Sequence, residues 1–376
     1  MNTDLKPRTN TDLRARATFT VTMVTRRRPS ALGGVERIVS SLLGELTELR
    51  SAWRVDAVSA FRQGSGWISR IPGLDDVIAS LRLGWRLRGS RADVIFLHCP
   101  ECFWGIRLLR RRRGPRPSVI AVWHGVGPRR FLILRRPGHP LARALAWLRT
   151  LEEIAALSAD GHVAVHESVA SELRTVYGLD KPVTVIRNAV DASIVDQLGR
   201  ADHAAEGTSL TALWLGQIAY GKGLDVALAA LAEARRTLPD LRLIVAGVPE
   251  GDPVDGVEWA GKVSPAEVAE LYRRADLLIF PSRYEAFGLV VIEAMAAGLP
   301  VVVSDDVPTG IVTDGRNGVV VAGHDPSRYA AAITTLADSQ LRAGMSKACL
   351  DDVRYFTTEP MTAGYAAVAE SFAGIQ

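Results

Sequence analysis

Between Ala275 and Asp305 the chain reads ADLLIFPSRYEAFGLVVIEAMAAGLPVVVSD, and few folds accommodate such a stretch. Leu277 to Phe280 is an apolar run of strand length, stopped by Pro281-Ser282. The residues from about Gly288 to Ala297 suit a helix, Gly298-Leu299-Pro300 ends it, and Val301-Val302-Val303 opens a second buried strand. Short apolar runs without alternation, joined through a helix, mark a parallel sheet of the α/β kind. The helix start offers free N–H groups and the positive end of a dipole, which suits a phosphate. Gly288 lets a ligand approach the backbone closely. Glu285 stands just outside that helix and Glu293 about one and a half turns in. Spacing alone leaves two readings of each carboxylate: a ligand contact, or a solvated charge.

Length and composition bound the rest. A chain of 376 residues implies about two domains of ordinary size. A hydrophobic share of 48% beside 23% charged residues suits a soluble globular protein with a sizeable core. Residues 1–17 are polar, without the apolar run of a secretory signal, and read as a disordered lead-in. Phe287 to Ser304 is the longest nearly apolar run, but Glu293 and Pro300 make it helix plus strand rather than a membrane span. Three cysteines form no disulfide framework, so the cytoplasm is the expected compartment. His98-Cys99-Pro100-Glu101-Cys102 contains a Cys-x-x-Cys, but a metal centre needs a second pair and only Cys349 is left, so buried thiols are expected.

Charge divides unevenly. Residues 1–189 hold 31 Lys and Arg against 16 Asp and Glu, a net of +15, and the remainder holds 14 against 25, a net of −11. Such asymmetry points to different partners for the two halves. The positive charge gathers at Arg26–Arg28, Arg107–Arg116 and Arg129–Arg136, with Trp67 and Trp104 in the same half. An anionic acceptor, such as a lipid-linked phosphate, or docking on an acidic membrane leaflet fits this half, and solvated arginines are the plainer reading. No nucleic-acid-binding module is present.

Taken in order, Thr18–Val24 reads as a strand, followed by Gly33-Gly34 and a helix through Leu49, a turn that can cradle phosphate. No Gly-x-Gly-x-x-Gly follows, which counts against a dinucleotide enzyme. Further strands are expected at Trp53–Phe61, Asp93–His98, Ser118–Trp123, Gly161–Val165 and Val183–Ile186, and helices at Ile78–Leu87, Leu141–Leu157 and Glu167–Tyr177. His124 follows a strand at its C-terminal end, where parallel sheets place ligands, although a lone His is often structural. In the second half, strands are expected at Leu210–Leu215, Leu241–Ala246 and Val257–Ala260, with Ser264-Pro265-Ala266-Glu267 as a helix N-cap. Gly216 to Gly223 nearly matches the P-loop pattern, with Lys222 at its Lys and Gly223 where a Ser or Thr should bind Mg²⁺.

Glu285-Ala286-Phe287-Gly288, then Glu293, then Gly298-Leu299-Pro300-Val301 resembles the donor-site signature of the retaining glycosyltransferases of family 4, also called glycosyl transferases group 1. Gly33-Gly34-Val35-Glu36-Arg37 resembles the first loop of that family, His124-Gly125 its donor-side His-Gly, and Arg187-Asn188-Ala189-Val190-Asp191 its interdomain hinge, with Ala189 in place of Gly. The resemblance runs from Thr18 onward and implies a GT-B fold: two facing Rossmann-like doubly wound domains with a C-terminal helix crossing back to the first. On this reading residues 18–189, with a terminal helix at about 357–376, bind the acceptor, and residues 190–356 bind the nucleotide sugar. The resemblance implies Glu285, His124 and Lys222 as catalytic residues. It implies Gly33, Gly34, Gln217, Lys222, Gly247, Val263, Phe287, Gly288, Leu289 and Glu293 as the donor-binding set, Glu285 on sugar hydroxyls and Glu293 on the ribose. Two positions depart from the family: Gln217 stands where an Arg is usual, and Gly310 where a Glu is frequent. The function expected is transfer, with retention, from a nucleotide-diphosphate sugar to an acceptor hydroxyl, without metal or other cofactor. A glycolipid, polysaccharide precursor or small-molecule aglycone would be the acceptor, at the cytoplasmic face of the inner membrane or free in the cytoplasm. Two alternatives stay open: a nucleotide-sugar-binding protein without transfer activity, and a P-loop NTPase or kinase.

Overall fold

The structure, a computed structural model, describes residues 18–26, 33–59, 74–87, 90–99, 103, 116–126, 150–190, 209–217 and 220–374. Two parallel sheets of six strands each carry the chain. Phe19–Thr25 (β1), Trp53–Ser59 (β2), Val94–Leu97 (β3), Ser118–Trp123 (β4), Gly161–Ala164 (β5) and Val183–Val185 (β6) lie in the order β2-β1-β3-β4-β5-β6. Thr211–Leu215 (β7), Arg242–Ala246 (β8), Val257–Gly261 (β9), Leu277–Phe280 (β10), Val301–Ser304 (β11) and Gly318–Val321 (β12) lie in the order β12-β11-β10-β7-β8-β9. The named helices are Gly34–Leu49 (α1), Leu74–Leu87 (α2), Glu167–Tyr177 (α3), Leu224–Ala234 (α4), Pro265–Arg274 (α5), Leu289–Ala296 (α6), Pro326–Thr335 (α7), Ser339–Asp352 (α8) and Thr358–Ala373 (α9). The order of connection reverses between β1 and β3 in one sheet and between β7 and β10 in the other. Strand ends diverge at such switch points, and open α/β sheets bind ligands there.

The apolar runs behave as a doubly covered sheet requires. Every residue of β3, β10 and β11 is buried. The core of the second sheet joins Trp214, Ile279, Val302, Tyr329 and Ile333 in one cluster. Helix α6 is buried almost throughout, from Val291 to Ala296, as expected for a helix with apolar residues on all sides.

Two compact units divide the described chain at Asn188/Ala189 and again at Thr357/Thr358, so α9 belongs to the first unit. Within the first unit α9 is tied down at several points. Thr358 Oγ1 donates to Glu45 at 2.9 Å, Arg50 pairs with Glu370 at 2.8 Å, and the Tyr365 ring meets Phe96 edge-on at 5.1 Å.

Element boundaries differ modestly from expectation. Helix α2 starts at Leu74, ahead of the expected Ile78. Strand β2 ends at Ser59, and the expected Ala60 and Phe61 lie outside the described residues. The helix expected at Leu141–Leu157 is described over 150–156 only. Arg27, Arg28, Trp67, Cys102, Trp104, Arg107–Arg113 and Arg129–Arg136 also lie outside. Among the described residues no helix is long and apolar enough to cross a membrane.

Candidate active site

At the C-terminal ends of β7, β8 and β10 three loops meet backbone to backbone. Gly223, the N-cap of α4, has φ +69°, and a Cβ there would lie 1.9 Å from the Pro281 carbonyl oxygen that follows β10. A Cβ on Gly247 would lie 2.6 Å from the Gly216 carbonyl oxygen. Gly223 is therefore no degenerate P-loop position: a Ser or Thr hydroxyl has neither the backbone conformation nor the space. The P-loop alternative loses its Mg²⁺ ligand for a steric reason.

Arg283 clamps the same loop. Its amide donates to Gly221 O at 2.9 Å, and its guanidinium donates to Tyr220 O at 2.6 Å and to both Asp225 oxygens at 2.7 Å. It also lies 4.2 Å from the Tyr220 ring centroid. Burial would raise the Asp225 carboxyl's pKa, but the Arg283 hydrogen bonds and charge outweigh it and hold it below the usual range. Sequence reasoning missed Arg283, since its partners lie 58 and 63 residues away and no spacing rule links them.

Lys222 and Glu285, which the sequence reading placed in separate loops, are in contact. Lys222 Nζ donates to Glu285 Oε2 at 2.5 Å, with the side chains 22% and 14% exposed. Lys222's carbonyl accepts from Trp214 Nε1 at 3.0 Å, and Nζ lies 5.4 Å from the Phe280 ring centroid. The other Glu285 oxygen accepts from the Ala286 amide at 3.2 Å. Lys222 carries the only formal positive charge of Gly216–Gly223, Glu285 balances it, Asp225 balances Arg283, and Gln217 is an exposed neutral side chain.

Helix α6 starts beside this pair, capped by Gly288 at φ +98°; the Val291 and Ile292 amides donate to Gly288 O at 2.9 and 3.1 Å, and the Leu289 and Val290 amides precede the first intrahelical bond. Glu293 is 3% exposed and accepts from Tyr272 Oη at 3.1 Å, so it is no solvated helix charge. Phe287 is buried against Phe356, ring centroids 5.9 Å apart, so its ring belongs to the core. Val263 is half-buried between β9 and the capping box of Ser264 and Glu267. Gly310 has φ +81°, so the backbone at this departure from the family pattern suits glycine.

The first unit holds the other expected residues. Gly33 caps α1, and Gly34 opens it. A Cβ on Gly33 would lie 2.0 Å from Glu36 Oε2, so the Glu36 carboxylate folds back close against the Gly33 backbone. His124, half-buried after β4, lies 3.0 Å from His98 through Nε2 and Nδ1. His98 stacks on both His124 and Tyr365, with centroids 5.3 and 5.8 Å away. Burial, and then the His124 charge, hold the His98 pKa well below the usual value, so it is neutral near pH 7. Cys99 and Cys349 are buried free thiols, and among the described residues no cluster of His, Cys, Asp or Glu is placed to hold a metal.

Comparison with known proteins gives this arrangement its family. Residues 15–194 match the model of Glycosyltransferase Family 4, and residues 209–339 match that of Glycosyl transferases group 1. A D-inositol 3-phosphate glycosyltransferase of Acidothermus cellulolyticus is 39% identical over 152 residues, covering 35% of this chain and 34% of that protein. The chain thus aligns with about a third of that relative's length. Sucrose-phosphate synthase of Thermosynechococcus elongatus superposes with a TM-score of 0.77 at 20% identity, over 95% of this chain and 100% of the other. HepE of Anabaena, in complex with UDP and glucose, superposes with a TM-score of 0.65 at 14% identity, over 93% of this chain and 99% of the other. The two Rossmann-like sheets are thus those of the GT-B fold, and the chain belongs to the glycosyltransferases of family 4, group 1.

Proposed function

We propose that the protein is a retaining glycosyltransferase, moving a sugar from a nucleotide-diphosphate sugar to an acceptor hydroxyl without a metal ion. The observation that carries this reading is the Lys222–Glu285 pair at the β7/β10 switch point, beside the start of α6. A diphosphate placed there meets Lys222 and the α6 amides, and the sugar attached to it lies within reach of Glu285. Glu293 holds the ribose. Preorganised charge at the departing diphosphate supplies the main transition-state stabilisation. As the bond from the anomeric carbon to the diphosphate oxygen breaks, the acceptor oxygen bonds to that carbon on the same face. The acceptor's proton passes to the departing phosphate oxygen, so no carboxylate nucleophile is needed. His124 serves the sugar side as a hydrogen-bonding group. Gly33 and Gly34 serve the diphosphate at the start of α1. Acceptors compatible with the basic first half are a glycolipid or an anionic polysaccharide precursor, met in the cytoplasm or at an acidic leaflet.

Gln217 favours a second reading, a protein that binds nucleotide sugars without transferring them, because one charge that would neutralise the diphosphate is absent. A thermal-shift screen with UDP-, GDP- and ADP-glucose, with and without EDTA, tests binding. A ligand at 100 times its Kd adds about 2.7 kcal/mol of stability. Transfer to an added acceptor, read by the anomeric configuration of the product, separates the readings. An inverted product or activity abolished by EDTA overturns the mechanism, and binding without turnover over a broad acceptor panel supports the second reading.

A further inference from the structure

Helix α5 reaches α6 through the Tyr272 hydroxyl. Tyr272 is fully buried, and its hydroxyl lies 3.1 Å from Glu293 Oε2 and 3.3 Å from Val290 O. Val290 and Glu293 stand three residues apart, one above the other on α6. One O–H group therefore bridges the first turn of α6 and the carboxylate in its second. A phenol hydroxyl has one proton to give, and the Glu293 carboxylate oxygen is the nearer of its two acceptors. Holding Oε2 fixes the plane of the Glu293 carboxylate, and with it the position of Oε1. Packing alone does not call for this hydroxyl, because a phenylalanine would fill the same space.

We infer that Tyr272 is a positioning residue for the nucleotide: by donating to Glu293 Oε2 it holds the carboxylate in the orientation that accepts from a ribose hydroxyl. This rests on the reading above, in which Glu293 holds the ribose. The residue touches no substrate itself and acts through Glu293.

The test measures equilibrium binding to the full chain of UDP, GDP and ADP and of their 2′-deoxy and 3′-deoxy forms, for the parent, Tyr272→Phe and Glu293→Gln. Tyr272→Phe is expected to weaken the preferred ribonucleotide about tenfold, the effect of losing roughly one hydrogen bond to a charged group. For the deoxy form that lacks the contacted hydroxyl, parent and variant should bind alike. A purely structural role would weaken all three forms together, and that result overturns the inference. So does parent-like ribonucleotide binding by Tyr272→Phe while Glu293→Gln is impaired. If Glu293→Gln also binds like the parent, or the parent binds none of the three nucleotides, the ribose reading of Glu293 has failed, and the inference with it.

Discussion

Glu285 and Lys222 neutralise each other across 2.5 Å, so each is set by its partner as well as by the ligand. Glu285→Gln keeps the side chain's size and removes the charge. Transfer should slow by about tenfold to a thousandfold, as for one charged hydrogen bond lost at the transition state, with nucleotide affinity near the parent's. Lys222→Ala should weaken nucleotide binding as well, and steady-state rates beside binding isotherms separate the two outcomes. Gln217→Arg adds the charge that the loop lacks. It should tighten nucleotide-diphosphate binding, and the gain should shrink as salt rises. Legibility at this scale followed sequence locality. Glu285, Gly288 and Glu293 fall in one short pattern, and Lys222 follows a glycine at recognisable spacing, so their residue types pointed to the site. Arg283 and Tyr272 sit in the same stretch or just before it, but their importance lies in partners that only folding delivers, and nothing in the string pairs them.

Elements were legible where burial or capping chemistry is strong. The apolar runs of β3, β10 and β11 became fully buried strands. Ser264-Pro265-Ala266-Glu267 became a complete capping box, with the Ser264 amide donating to Glu267 at 2.6 Å and the Glu267 amide donating back to Ser264 Oγ at 3.4 Å. Ser264→Ala should cost about 1 kcal/mol of stability in denaturant melts, without altering nucleotide binding at saturation. Strand ends were less legible, because the last residue of a strand depends on which neighbour continues beside it. The crowding at Gly223 was also invisible in sequence: the backbone it meets, at Pro281, is 58 residues away. Gly223→Ser should therefore destabilise the second unit by several kcal/mol, through strain at positive φ and the close approach to Pro281 O, and not confer Mg²⁺ dependence. Thermal melts with and without Mg²⁺ check this.

At the scale of the whole molecule, two buried histidines set a pH response for the first unit. Burial, and then the Lys181 charge, push His162 down to about 4 against the opposing pull of the Leu157 carbonyl and Asp160, and His98 is also held well below the usual value. A folded-state pKa below the unfolded one means that the unfolded chain binds the proton first. Stability from His162 is thus complete above about pH 6.5 and is lost as pH falls toward 4, by at most about 1.4 kcal/mol per pH unit, and His98 acts in the same direction. Denaturant midpoints across that range should fall with acid, and less steeply in His162→Gln. The division into a half of net +15 and a half of net −11 predicts co-sedimentation with acidic but not neutral vesicles at low salt, lost at high salt, and equal binding to both removes the membrane reading. Connectivity carries one more consequence. Ala189–Thr357 forms one uninterrupted stretch of the second unit, whereas the first unit is assembled from both ends of the chain, with α9 as its last piece. On the ribosome, then, the second unit can finish while the first still waits for Met361, Tyr365 and Ala369 to be synthesised, since α9 buries them in the first unit's core. The half that begins first is completed only when α9 joins it, and a chain that stops short of α9 is defective in its opening half.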